Sequence, residues 1–489
     1  MDDNDSIKRC LRITDILENI FSYVEQTGLA RLARTSHFFR DVALDALYKE
    51  LDALGNLLKC MTDDVFTVSN GKLTLRRRME RRDLEILKSY AARIRKLTVR
   101  ETDPPLSGEV VRALCMIRSN CDPALTPNLR TLHWEVTHSN YVYILPIFIS
   151  RQLSALSIPE KFTSELWLPN VAPLCPSLSS FSLNGPTKTE ADLSFLDQWS
   201  RLQFATCGAL TPQAFKCIST CPFLQSLVFT VPASGNAWMQ ATDIDKSSFP
   251  KLREASITCP SLDLASAWLE KLQAPKLGSL HISMPDGVAS PGSVVYLFNI
   301  LQHHPLSTLS LNSSDPRVHH LSPSVLRLLF KCPLLTQLSI DVSSFAIDDE
   351  DLEALATALP NLEILEIVTG SSDEPSRITL DGLVPLLQHC PNLGTLKISV
   401  NASYVTNNTD RPGEGVCNTR ITELSLYSSP VGDVGRVASF LSDILPNVRT
   451  IDEINTRESW NMVAKLLEIF ALAREQERRW CARSGSEKL

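Results

Sequence analysis

"FAIDDEDLEALATALPNLEILEI" runs from Phe345 to Ile367 and changes period halfway. Leu352, Leu355, Ala356 and Leu359 recur at helical spacing, after a cluster of acidic residues suited to a helix start. Pro360 cannot continue that helix. Beyond it Leu362, Leu365 and Ile367 follow a leucine, two residues, leucine, one residue, leucine pattern. This places alternate residues on one side of a strand. The stretch therefore predicts a helix, a turn and a strand.

The strand string recurs along the chain. It appears at Leu129…Leu132…Trp134, Leu153…Leu156…Ile158, Leu178…Phe181…Leu183 and Leu224…Leu227…Phe229. It returns at Leu252…Ala255…Ile257, Leu277…Leu280…Ile282, Leu306…Leu309…Leu311 and Leu335…Leu338…Ile340. The last copies are Leu393…Leu396…Ile398, Ile421…Leu424…Leu426 and Val448…Ile451. Ile94…Leu97…Val99 opens the series and Leu202 is a degenerate copy. From Leu129 to Val448 the step averages about 27 residues, within the leucine-rich range. Thr211-Pro212, Ser290-Pro291 and Ser322-Pro323 supply capping hydroxyls before a proline at the first helical position. Helices stop at Cys175-Pro176, Cys221-Pro222, Cys332-Pro333 and Cys390-Pro391.

Strands that follow one another through helical crossovers must lie parallel. The fold class expected is α/β: a leucine-rich-repeat solenoid with parallel strands concave and helices convex, preceded by a small three-helix domain. The repeats resemble cysteine-containing leucine-rich repeats. They depart from them three residues after the third apolar position, where Asn401 fits but Thr137, Pro186, Pro232, Pro285, Ser343 and Gly370 do not. An irregular arc is expected.

The chain has 489 residues, 44% apolar, with a net charge of −7. That charge argues against nucleic acid as the main partner. The 13 cysteines form no CxxC pair, and the four before proline occupy one repeat position, as buried small apolar groups rather than a metal site. No signal segment and no apolar run of about 20 residues is present. A reducing compartment, cytoplasmic and/or nuclear, is expected, with no membrane contact and no cofactor.

Five segments are expected: a tail at 1–9, the three-helix domain at 10–50, a helical linker at 51–93, the array at 94–456, and a capping helix and tail at 457–489. In the linker, Arg76, Arg77, Arg78, Arg81 and Arg82 are expected on a solvated helix face, with Glu80, Asp83 and Glu85 as local partners. A targeting signal or an anionic contact is the competing reading. At the other end Trp460, Val463, Leu467 and Phe470 would cover the last repeat.

In "CLRITDILENIFSYVEQTGLARLARTSHFFRDVALDALYKE" (10–50) the first helix is expected to begin at a Thr14 or Asp15 cap, with Glu18 three residues after Asp15. A break is expected at Thr27-Gly28, and a third segment near Phe38-Phe39. So small a core needs help from a neighbour. The segment resembles the F-box, in the Ile-Leu-x-x-Ile-Phe core, the Leu-x-x-Leu-Ala step and the aromatic pair. Arg12-Ile13 stands where Leu-Pro is usual, and Phe39 or Tyr48 where Trp is frequent. Followed by leucine-rich repeats, it is similar to fungal F-box substrate receptors of Skp–cullin–RING ubiquitin ligases.

The resemblance implies a non-enzymatic adaptor. Its F-box would bind a Skp-type adaptor, and through it a cullin–RING ligase, while the repeats hold a protein substrate for ubiquitination. The contact positions implied are Ile16, Leu17, Ile20, Phe21, Val24, Leu29, Leu32 and Phe39. The alternative is a protein-binding scaffold with no ligase link. On the strand face the residues beside each middle leucine are mostly small and hydroxylic. His133, His281, Glu366 and Lys397 are the candidates there for substrate contact. Two repeats without an evident helix add Trp238, Tyr404 and Arg411 on loops. No catalytic motif, HExxH or GxSxG or a phosphate loop, occurs.

Overall fold

The computed structural model describes residues 13–486 except 63, 101–103, 120–123, 138, 161, 163–167, 186–192, 233, 242–247, 273, 286–289, 314–319, 342–343, 368–375, 406–412, 428 and 453–457. The chain forms two compact units, Met1–Leu224 and Gln225–Leu489.

The first unit opens with α1 (Thr14–Phe21), α2 (Gln26–Thr35) and α3 (His37–Tyr48). Ile13, not Thr14 or Asp15, is the N-cap of α1, and no side chain caps it. The chain breaks before Gln26, so Thr27 and Gly28 lie inside α2. A Cβ at Gly28 would stand 2.6 Å from Val24 Cγ1, so any larger residue there would force the Val24 side chain to shift. Ser36 begins α3 by accepting the Phe38 N–H at 3.2 Å.

Next come β1 (Glu50–Leu51), α4 (Leu54–Leu58), β2 (Phe66–Ser69), β3 (Lys72–Leu75), α5 (Arg81–Ala91), β4 (Lys96–Val99) and α6 (Gly108–Ser119). The expected helical linker is thus only partly helical. β2 and β3 form an antiparallel hairpin. Its turn is Asn70-Gly71, with φ of 51° and 70°, the left-handed pair a two-residue hairpin turn demands. Arg76, Arg77 and Arg78 lie in the turn after β3, not on a helix.

β1, β4, β5 (Thr131–Trp134), β6 (Ala155–Pro159), β7 (Ser180–Asn184) and β8 (Phe204–Ala209) then pair in parallel. Leu97, Leu132, Leu156 and Phe181 sit opposite one another, so equal repeat positions stack. Several crossovers here are short 3₁₀ turns rather than the expected helices, at Ser139–Tyr143, Leu145–Phe148, Ala172–Leu174 and Ser194–Gln198. Pro146 and Pro173 each remove a donor from such a segment. Trp134, Phe148, Trp199 and Phe181 fill the layer behind the sheet.

The second unit carries β9 (Ser226–Thr230), β10 (Glu254–Thr258), β11 (Ser279–Met284), β12 (Thr308–Ser313), β13 (Gln337–Asp341), β14 (Ile364–Ile367), β15 (Thr395–Ile398), β16 (Glu423–Ser425) and β17 (Thr450–Asp452). All are parallel. Leu309, Leu338, Leu365, Leu396 and Leu424 form one buried row across five of them, and half-buried Ile451 ends it on the sixth. Thr211 in the first unit and Ser290 in the second cap helices by accepting N–H bonds at 3.2 and 3.1 Å. Ser322 does the same at 3.4 Å.

The helix Gly235–Ala241 occupies one of the two segments read as loops. Trp460, Val463 and Leu467 of the last helix, Glu458–Ser486, are buried, and Trp460 Nε1 donates to the Ser429 carbonyl at 2.9 Å. Phe470 is half-buried. Cys175, Cys221, Cys332 and Cys390 are buried at their shared repeat position, as expected of small apolar groups.

Candidate functional site

The apolar arc of α1 divides in two. Leu17 and Phe21 point inward, where with Leu29, Val42 and Ala43 they form the core of the three-helix domain. Val24, Leu32 and Phe39 pack against that core, and the Phe21 and Phe39 rings meet edge to face at 5.7 Å. Ile16 and Ile20, one turn apart on the adjacent strip, remain 37% and 45% exposed. Ile13, Tyr23 and Phe38 are exposed as well. Of the eight expected contact positions, Leu17, Phe21 and Leu29 are therefore committed to the domain's own core. Position-by-position exposure adds Ile13, Tyr23 and Phe38, which periodicity alone did not single out.

The domain is fixed to the first strands of its unit. β1 pairs with β4, and the Tyr48 and Tyr90 rings meet at 4.9 Å. Burial pushes the Tyr48 hydroxyl up to about 12, aided by Cys60 and Tyr90. Arg93 binds Asp41 and Asp45 of α3.

In the second unit the open face, opposite the buried row, carries Ser310, Ser339, Glu366, Lys397 and Ser425 in one register row. Neighbouring strands stand about 4.8 Å apart, which brings long side chains of adjacent strands within reach of one another. Glu366 accepts from Lys397 Nζ at 2.7 Å and from Ser339 Oγ at 2.8 Å. Asp341, at the end of β13, and Tyr427, in the turn just past β16 with φ of 31°, line the same cavity of about 240 Å³. Desolvation, then the Glu366 charge, raise the Asp341 carboxyl pKa. Desolvation, then Asp341 and Glu366, push the Tyr427 hydroxyl up to about 12.

The other candidates separate. His133 and His281 are half-buried on β5 and β11, and His281 Nε2 lies 3.1 Å from Ser279 Oγ. Trp238 is a core residue, its ring 6.5 Å from that of Phe229. The side chain read as a loop anchor is therefore withdrawn from solvent. Tyr404 is exposed, and Arg411 lies outside the described residues. Asp341 and Tyr427 were missed, although the two-residue alternation, extended past the strand string, reaches both.

A family profile described as F-box-like matches residues 14–53. The chain carries an F-box-like domain ahead of a leucine-rich-repeat array. Among curated proteins none matches it by sequence. An internalin of Listeria monocytogenes is 13% identical, with 68% of this chain and 82% of that chain covered and a TM-score of 0.35. A leucine-rich-repeat protein of Leptospira interrogans is 12% identical, with 66% and 78% covered and a TM-score of 0.32. The repeat assignment rests on the strand register and its sequence period, not on these likenesses. F-box and leucine-rich-repeat modules are in general non-enzymatic interaction modules. No described helix is long and apolar enough to cross a membrane. Among the described residues no group of three or more His, Cys, Asp or Glu could hold a metal ion.

Proposed function

We propose that this protein is a substrate-recognition adaptor of an SCF-type E3 ubiquitin ligase. The observation that carries it is the F-box-like match over 14–53, coinciding with a helix that leaves Ile16 and Ile20 in water while its neighbours complete a core. Exposed isoleucines one turn apart form a strip suited to a partner's apolar groove. The Skp-type adaptor would cover that strip, together with Ile13, Tyr23 and Phe38. The cullin–RING ligase follows through the adaptor, and ubiquitin transfer is done by other subunits. A protein substrate would sit on the open sheet face, where Glu366, Lys397, Asp341 and Tyr427 gather charge and hydrogen-bonding capacity on an otherwise hydroxyl-rich surface. The mechanism is placement, because a bound substrate is held near the transferring machine.

A pull-down of the full chain with a Skp-type adaptor tests this. Wild type should be retained and Ile16→Asp/Ile20→Asp lost, with the far-UV signal of both proteins alike. No retention of wild type, or equal retention of the double variant, leaves the scaffold without a ligase link as the reading.

A further inference from the structure

A second surface lies in the first unit, away from α1 and from the strand face. β3, the turn after it, α5 and α6 wall a groove of about 740 Å³. Its apolar lining comes from Leu75, Met79, Leu84, Ala113 and Met116, of which Met116 is 69% exposed. Arg76, Arg77, Arg78 and Arg112 line it too, against one carboxylate, Glu109.

The fold uses one of the four guanidiniums. Arg77 Nη1 and Nη2 donate to the two oxygens of buried Asp83 at 2.6 and 3.0 Å, and Nε donates to Asp64 at 2.7 Å. Nη1 also reaches the Arg78 carbonyl at 3.0 Å. Asp83 in turn accepts the Glu80 N–H at 2.8 Å, which closes the first turn of α5. The turn is thereby clamped, and two nearby carboxylates, buried Asp83 and exposed Asp64, are paired with Arg77. Among the described residues, Arg76 donates to the Thr67 hydroxyl at 3.3 Å and enters no ion pair. Among the described residues, Arg78 and Arg112 enter no ion pair.

Three guanidiniums beside one carboxylate repel one another, and the apolar floor next to them faces water. An anionic occupant with apolar side chains relieves both. We propose that this groove docks an acidic segment of a partner protein. Its carboxylates pair with Arg76, Arg78 and Arg112, and its apolar side chains cover Met79 and Met116. Guanidinium matches carboxylate in a planar fork, and methionine adapts to differing apolar shapes. A nucleic-acid backbone would take the guanidiniums but leave the floor bare, and the net charge of −7 opposes it. The site does not depend on the ligase reading.

The test uses the full chain and a fluorescein-labelled peptide of about ten residues alternating Glu with Leu and Phe, read by anisotropy. Wild type should bind it, more weakly as salt rises. The same peptide with Gln for Glu, and the variant Arg78→Glu/Arg112→Glu against the acidic peptide, should each be about tenfold weaker or more. Met116→Ser should weaken binding several-fold. Equal binding of the Gln peptide, or equal binding by a double variant with an unchanged melting curve, overturns the proposal. So does failure of wild type to bind the acidic peptide, including the case in which it binds a short oligonucleotide or phosphatidylserine vesicles instead. Should the double variant not fold, the Gln comparison on wild type and Met116→Ser still decide it.

Discussion

Arg93 holds Asp41 across the junction between the F-box-like helices and the first repeat strands, with Nη2 2.8 Å from Oδ1. Its Nη1 also binds Asp45 and reaches the Asp41 carbonyl at 3.1 Å. Arg93 lies just before β4, whereas both aspartates lie on α3. With the β1–β4 pairing and the Tyr48–Tyr90 contact, this bond sets how the helices sit on the sheet of their own unit.

The aspartates are exposed, so the ion pair stabilises the junction by only about 1 kcal/mol. Arg93→Ala should raise amide hydrogen exchange in α3 and β1 while leaving the second unit unchanged. The loss should shrink at high salt, because exposed pairs are screened. Unchanged exchange in α3 would show that the strand pairing and the tyrosines suffice.

Two residues of α1 should respond in opposite ways. Ile20→Asp places a charge on an exposed strip and should abolish adaptor retention with little change in melting temperature. Leu17→Ala opens a cavity in a core of very few residues and should cost about 2–5 kcal/mol, melting the three helices. Circular dichroism of the isolated Ile20 and Leu17 variants, set beside adaptor pull-down, separates the two effects.

Trp238→Ala is expected to act on stability rather than recognition. The ring packs against Phe229 behind the sheet, and its removal should cost about 3–5 kcal/mol. Thermal unfolding checks this; an unchanged melting temperature with altered partner capture would return Trp238 to the binding surface.

The cysteines give a pH signature. Burial pushes the thiols of Cys175, Cys207, Cys221 and Cys259 from 9.0 up to about 12. The unfolded chain therefore loses these protons first. Stability is intact below about pH 9 and falls as pH rises from 9 towards 12. Alkaline denaturation should steepen in that window and soften when Cys207→Ala and Cys259→Ala are combined. Alkylation of the native protein at neutral pH should mark exposed Cys417 and spare the four.

Gly432 is held by a close approach rather than by its own φ. A Cβ there would stand 2.1 Å from the Ser403 carbonyl oxygen, a backbone atom that cannot rotate away. Gly432→Ala should break the Gly432 N–H bond to the Ala402 carbonyl, now 2.9 Å, and destabilise the second unit by about 2 kcal/mol or more. A melting curve equal to wild type would refute this.

The repeat register was legible because it is local and periodic. Leu362, Leu365 and Ile367 must share one face of a strand, and copies about 27 residues apart must stack to bury it. The capping hydroxyls of Thr211, Ser290 and Ser322 were legible for the same reason, since a cap acts within three residues. The arginine run shows the opposite case. Its charge pattern suited a helix, but Asn70-Gly71 closes a hairpin, and Arg77 is drawn to Asp64 thirteen residues earlier. The turn chemistry was present and outweighed the charge pattern.

Sequence by itself thus determined the repeat, the parallel order within it and the three-helix start. Only the tertiary structure decided which half of each apolar arc is core. Leu17 and Ile16 are chemically alike and adjacent; packing against Leu29 and Val42 buries one and leaves the other in water. Likewise Glu366 and Lys397 lie 31 residues apart in the chain and meet at 2.7 Å, because parallel register brings equal positions side by side. Burial and ion pairing depend on distances between elements, which no local period encodes.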